Sequence, residues 1–172
     1  HEADLDMATE VAFDAKVQYP AVCNAVETLL VHESVAEAFL PQITKRYAAA
    51  DVAVRGDERT REIVDVAAAS EADWETEYGD LIVAVKVVDS LDDAIDHITA
   101  HGSKHTESII SEDADRAGRF MRSLDSASVF HNASPRFSDG YRFGLGAEVG
   151  LSTGKTHARV PAARPTKFST VR

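Results

Sequence analysis

A single thiol, Cys23, stands in "YPAVCNAVETLLVH" (residues 19–32), between Pro20 and Asn24 and just ahead of an apolar run. A thiol becomes a reactive thiolate when a backbone N–H array, a helix start or a nearby cation stabilises it and solvent can reach it. Held in a loop by rigid neighbours, such a group suits attack on a carbonyl, because its own N–H can help bind the oxyanion that forms. Lys16 and Gln18 lie a few residues upstream. The competing reading is a buried spare cysteine, since free Cys packs as a small hydrophobe. Spacing alone leaves both readings open.

Other signals are weaker. "GLSTGKT" (150–156) has three residues between its first glycine and the GK pair. A phosphate loop needs four there, and a hydrophobic strand directly before it. His97, His101 and His105 are spaced four apart, but Gly102 interrupts the helical pattern before the third. They read as surface histidines complementing a helix C-terminus rather than as metal ligands. The pairs Asp92/Asp93 and Asp113/Asp115 fall at helix starts, where negative charge is stabilised, and read as caps.

The elements that must position these groups alternate. Residues 4–18 have helical spacing and end before Pro20; "ETLLVH" reads as a strand; "SVAEAFLPQITKRYAAA" reads as a helix capped by Ser34 and bent at Pro41. "DVAVR" is a strand, "DERTREIVDVAAA" a helix and "DLIVAVKVV" (80–88) the most strand-like run; "SLDDAIDHITAHG" is a helix from Ser90 to Gly102. "ESIIS", "DADRAGRFMRSL" and "ASVFHN" repeat strand, helix, strand. The expected fold class is α/β, a largely parallel sheet with helices on both faces. Chemistry is then expected in loops beyond the carboxyl ends of the strands. The long stretch after the last strand holds five of the nine glycines, as expected of a functional loop.

Composition bounds the function. A chain of 172 residues has the length of one domain. The net charge of -11 argues against a nucleic-acid partner, and no apolar run is long enough to span a membrane. One cysteine allows neither an internal disulfide nor a cysteine-based metal framework. The acidic, polar start lacks a secretory pattern, so the expected location is the cytoplasm. Acidic residues spread along the chain, with twelve Arg to six Lys, suggest a salt-rich cytosol.

Three stretches carry a resemblance: "KVQYPAVCNAVETLLVH", "VKVVDSLDDAIDHITAHGSKHTESI" and "ASVFHNASPRFSDGYRFGLGAEVGLSTGKTHAR". Together they resemble the gamma-glutamyl phosphate reductases (glutamate-5-semialdehyde dehydrogenases), a branch of the aldehyde dehydrogenase superfamily, from about Ala3 to Arg159. The resemblance implies an aldehyde dehydrogenase-like catalytic domain and NADPH-dependent reduction of a small-molecule substrate, L-glutamyl 5-phosphate, to L-glutamate 5-semialdehyde in proline biosynthesis. It implies that Cys23 is the catalytic nucleophile, with Asn24 beside it as a catalytic or loop-fixing residue. It further implies that Glu77 contacts the cofactor ribose, and that Arg136, Asn132, Phe143, Gly144, Gly146 and Glu148 line the substrate site.

Two departures accompany it. Pro135 stands where the family usually has Thr, and the family likeness stops after Arg159. Residues 1–159 are therefore read as the cysteine-bearing catalytic domain and 160–172 as a divergent tail. No dinucleotide-binding fingerprint precedes Cys23, so the NADPH/NADP surface is expected to lie mainly on a domain absent from this chain. These residues alone are expected to turn over little or no substrate. A homo-oligomer or a complementing cofactor domain remain open as partners. The alternatives are another aldehyde or acyl-phosphate dehydrogenase of the superfamily, or a non-catalytic interaction module.

Overall fold

The computed structural model describes residues 2–142 together with Gly144 and Gly146. Phe143, Glu148 and the tail 160–172 lie outside the described residues.

The run at residues 80–88 forms the central strand. Parallel strands buried on both faces are apolar nearly throughout, and β4 (Ile82–Val88) has Val83, Ala84 and Val85 fully buried. It pairs parallel with β1 (Thr28–His32) on one side and β2 (Ala53–Gly56) on the other, and β2 pairs parallel with β3 (Ala67–Ala68). A second parallel pair joins β5 (Thr106–Ile109) to β6 (Ser128–His131). Among the described residues the order is therefore β1-β4-β2-β3, with β5-β6 separate.

The pleat divides the helices between two faces. Val83, Val85 and Val87 of β4, with Val31 of β1, join one core with Ala8 and Ala12 of α1 (Leu5–Val17) and Phe39, Leu40, Ile43 and Tyr47 of α2 (Glu33–Ala49). The short α3 (Glu58–Ile63) packs against α2 on that face. Lys86 points the other way, toward His97 of α4 (Leu91–His101), and α4 packs on α5 (Ala114–Ser123). The expected α/β class, with helices on both faces, is what the structure has.

Local differences have physical causes. α2 runs unbroken through Pro41, because buried Phe39, Leu40 and Ile43 on either side hold it against the sheet. Its cap is His32, whose Nδ1 accepts from Ser34 N at 3.1 Å, so Ser34 lies in the first turn instead of capping it. The helix expected over 57–69 stops at Ile63, and Ala67–Ala68 add to the sheet edge beside Arg55 and Gly56. Ser90, Asp113 and Asp57 cap their helices through side-chain oxygens that accept backbone N–H groups.

Candidate functional site

Cys23 is exposed. It occupies a tight turn in which Ala25 N donates to Val22 O at 2.9 Å, with Cys23 and Asn24 at the two central positions. The turn lies in the connection from α1 to β1, so the thiol sits at the amino edge of the sheet. That edge is opposite the carboxyl ends beyond which chemistry was expected. The groups that gather near it come from connections that enter β1 and β4 and from a segment that returns to the start of β6.

Two anchors fix this connection. Val26 N donates to Ala15 O at 3.0 Å. Beneath it, the fully buried Lys16 ammonium contacts Glu27 Oε2 at 2.9 Å and donates to Asp80 O at 3.1 Å. Glu27 Oε1 also accepts from Gly79 N at 3.3 Å, which ties the cysteine connection to the one leading into β4. Burial raises the Glu27 carboxyl above its ordinary range, against the lowering by the Lys16 hydrogen bond and charge. Sequence reading missed this pair, although Lys16 follows Ala8 and Ala12 at four-residue steps on the apolar stripe of α1, and a lysine there needs a buried partner.

Asn24 is buried, and its Nδ2 donates to Ser138 O at 2.8 Å. Ser138 in turn meets Ser128 at the start of β6, Oγ to Oγ 3.2 Å. Arg136 lies two residues away in the 3-10 turn Pro135–Phe137; it is buried, and its Nε donates to Gln18 Oε1 at 3.1 Å. No carboxylate pairs with it among the described residues. Pro135 opens that turn, where a missing N–H costs nothing, so proline is compatible with this position. The structure thus ties Asn24, next to Cys23, to Ser138, and Gln18 to Arg136, two residues before Ser138.

Glu77 is exposed in the connection before β4 and lines, with Cys23, a cavity of about 590 Å³. Asp73 pins its segment by accepting from Tyr78 OH, Ser70 N and Arg55, contacts that hold the Asp73 carboxyl well below its usual range. Asn132 stands elsewhere, at the carboxyl end of β6. It has φ +54°, its Oδ1 accepts from Ser111 N and its Nδ2 donates to Ser111 O, at 2.9 and 3.2 Å. Gly144 and Gly146 have φ +73° and +67°, conformations that suit glycine.

The histidines differ from their expected surface role. His97 and His105 are both buried, and His97 stacks edge-on to Trp74 with ring centroids 5.5 Å apart. Burial, then the nearby Lys86 charge, pushes the His97 imidazole down to about 4. His101 keeps the expected place in the last turn of α4, paired with Glu75 at 3.4 Å. Among the described residues no group of three His, Cys, Asp or Glu could hold a metal ion, and no helix is long and apolar enough to cross a membrane.

Glu107 of β5 lines the same cavity, and burial pushes its carboxyl up to about 7, opposed by a hydrogen bond from Ser126. Between its ordinary value of 4.5 and about 7, the folded chain holds a proton that the unfolded chain has lost. This group therefore makes stability fall as pH rises through that window, by about 3 kcal/mol at most. Glu107→Gln removes the fall, and urea unfolding at pH 4.5, 6 and 7.5 measures the change in slope.

No protein-family model matches the chain. Individual relatives do. The chain is 74% identical over 161 residues to gamma-glutamyl phosphate reductase of Natronomonas pharaonis, a match covering 92% of this chain and 37% of the relative. The crystal structure of gamma-glutamyl phosphate reductase from Thermotoga maritima superposes with a TM-score of 0.90 at 51% identity, over 94% of this chain and 39% of that one. An acetylating aldehyde dehydrogenase from Geobacillus thermoglucosidasius shares the fold at a TM-score of 0.62 and 16% identity, over 83% of this chain and 40% of that one. The chain spans a little over a third of the length of the curated relatives it matches. Sequence and fold together identify it as a relative of the gamma-glutamyl phosphate reductases, matched over about nine-tenths of its own length and built on an aldehyde dehydrogenase-like fold.

Proposed function

We propose that this chain carries the nucleophile and part of the substrate site of a gamma-glutamyl phosphate reductase, with Cys23 attacking the acyl carbon of L-glutamyl 5-phosphate. The observation that carries the reading is the exposed Cys23 thiol on a turn braced from Asn24 to Ser138, with Arg136, two residues before Ser138, having no carboxylate partner among the described residues. The thiolate forms a C–S bond, the bond from carbon to the phosphate oxygen breaks, and phosphate leaves. The Cys23 N–H donates to the oxyanion during the attack. Asn24 holds the turn through Ser138, so the thiol keeps its direction while charge moves onto the oxygen. Gln18 orients the Arg136 guanidinium, whose remaining N–H groups bind a carboxylate or phosphate oxygen of the substrate.

NADPH, when bound, supplies the hydride that reduces the thioester to the aldehyde. The fit of this chain to that cofactor is partial. The exposed Glu77 carboxylate on the cavity wall suits the ribose hydroxyls. The described residues beside it offer no glycine-rich turn for the phosphates. Most of the cofactor surface therefore belongs to polypeptide outside this chain, with which it works either in one protein or as a complementing domain. The cytoplasm is the compartment in which this activity is proposed.

Labelling tests the reading. L-glutamate 5-semialdehyde protects Cys23 from iodoacetamide, whereas propionaldehyde at the same concentration does not. Arg136→Ala weakens the protection by about tenfold or more, the loss of one charge-assisted contact. Equal protection by both aldehydes would favour another dehydrogenase of the superfamily, and a Cys23 inert to iodoacetamide would favour a non-catalytic module.

A further inference from the structure

The connections that carry Cys23 and Glu77 share one reference point, the last turn of α1. Ala15 O accepts from Val26 N at 3.0 Å on the cysteine connection. The next residue, Lys16, donates from Nζ to Asp80 O at 3.1 Å on the connection leading into β4. Glu27 closes the link between them. Its Oε2 contacts Lys16 Nζ at 2.9 Å and its Oε1 accepts from Gly79 N at 3.3 Å, and the Tyr78 N–H also favours its charged form.

The second connection is held at one further point. Tyr78 OH donates to Asp73 Oδ1 at 2.6 Å, and the buried Asp73 carboxylate accepts in turn from Ser70 N and from Arg55 of β2. Tyr78, Gly79 and Asp80 are thus each fixed, by Asp73, Glu27 and Lys16 respectively. Glu77 comes directly before them, exposed and on the wall of the cavity that Cys23 also lines. Gly79 has φ +60°, which lets the backbone turn between Glu77 and β4.

We propose that Glu27 is a positioning residue that, with Lys16 and through Gly79, sets the Glu77 carboxylate at a fixed place relative to Cys23. The inference rests on the proposed reading in which Glu77 meets the cofactor ribose and Cys23 carries the acyl group. Hydride transfer needs its two carbons held in one geometry, and a small misplacement is costly. A carboxylate that grips the ribose fixes that geometry only if its own backbone is referenced to the thiol. The last turn of α1 supplies the reference.

A carboxylate is required at position 27 because each of its two oxygens serves a different donor. Glutamine has one oxygen, which the Lys16 ammonium takes as the stronger donor, and its NH2 group then faces the Gly79 N–H. Glu27→Gln therefore cuts the tie to Gly79. The cysteine turn keeps its own bonds, Ala25 N to Val22 O, Val26 N to Ala15 O and Asn24 Nδ2 to Ser138 O.

The test uses a reductase of the relatives' full length that carries this chain's sequence, with Glu27→Gln, Tyr78→Phe, Glu77→Gln and the Glu27→Gln/Glu77→Gln double variant. Three quantities are read: amide hydrogen exchange of residues 77–80 without cofactor, NADPH affinity by fluorescence titration, and acylation of Cys23 by L-glutamyl 5-phosphate without cofactor. Glu27→Gln is expected to speed exchange by about tenfold and to weaken NADPH binding by about fivefold or more, with acylation held within about twofold of the parent. The double variant should bind NADPH no more weakly than Glu77→Gln alone, since Glu27 acts through Glu77. Tyr78→Phe, which removes the Asp73 tie and leaves the buried Lys16–Glu27 pair intact, should weaken NADPH binding in the same way and serves if Glu27→Gln does not fold. Normal NADPH affinity in Glu27→Gln and Tyr78→Phe beside a loss in Glu77→Gln would overturn the inference and leave the reading of Glu77 standing. Normal affinity in Glu77→Gln would overturn that reading, and the positioning role with it. Losses that add in the double variant, or acylation falling in step with affinity, would make Glu27 a general support of the fold instead.

Discussion

Replacing Cys23 by alanine is expected, on the proposed function, to lower NADPH oxidation driven by L-glutamyl 5-phosphate by at least about a thousandfold, measured in a reductase of the relatives' full length that carries this chain's sequence. The residue beside it does not substitute for the sulfur: Asn24 is an amide held by Ser138 O, and an amide cannot form and release an acyl intermediate at a useful rate. The fold should not notice. Cys23 is exposed, and the turn around it is held by the Ala25 to Val22 hydrogen bond and by Asn24, not by the thiol. Unfolding free energy is therefore expected to change by no more than about 0.5 kcal/mol. A large activity loss with a matching loss of stability would instead give the cysteine a structural role.

The second large effect concerns stability. Lys16→Met leaves the Glu27 carboxylate on the inner side of the cysteine turn without its cation. Breaking one side of a buried pair costs about 3–5 kcal/mol, and Glu27 is partly exposed, so about 3 kcal/mol is expected near neutral pH. That is a large fraction of a typical domain's stability. A protonated Glu27 needs no partner, so the loss shrinks as pH falls toward the range in which that carboxyl takes up its proton. Adding Glu27→Gln removes the orphaned charge and should recover much of the loss. Urea unfolding of the single and double variants at pH 5 and 7.5 measures all three expectations. Cys23 alkylation in the single variant reports whether the turn loosens with its anchor.

How much of this was legible depends on the range of the interaction. Local signals read correctly: Ser90 and Asp113 cap their helices, and the apolar run at 80–88 is the buried central strand. Pro41 misled because a local rule about proline was outweighed by packing of the residues around it. The stretch after Ile63 misled because sheet pairing with β2 offered its backbone more than a continued helix did. His97 read as a surface residue on spacing alone, yet its partners Trp74 and Lys86 come from elements far apart in sequence. The same holds for the site. Cys23 stood out as a thiol in a loop, but the support of its turn is Ser138, 115 residues on, reached through Asn24. Cys23 lies away from the carboxyl ends where chemistry was expected, because the usual rule concerns loops that leave strands, whereas this thiol sits on a connection that enters one.

The most direct measurement is the mass of the protein after a single exposure to substrate without cofactor. L-glutamyl 5-phosphate, made in the same tube by a glutamate kinase with ATP, is mixed with the chain, quenched in acid and analysed intact and after digestion. Formation of a thioester at position 23 predicts a gain of one glutamyl group on the peptide bearing Cys23, removed by hydroxylamine and lacking in Cys23→Ala. An unmodified Cys23, or a glutamyl group on any other side chain under the same conditions, would contradict the account.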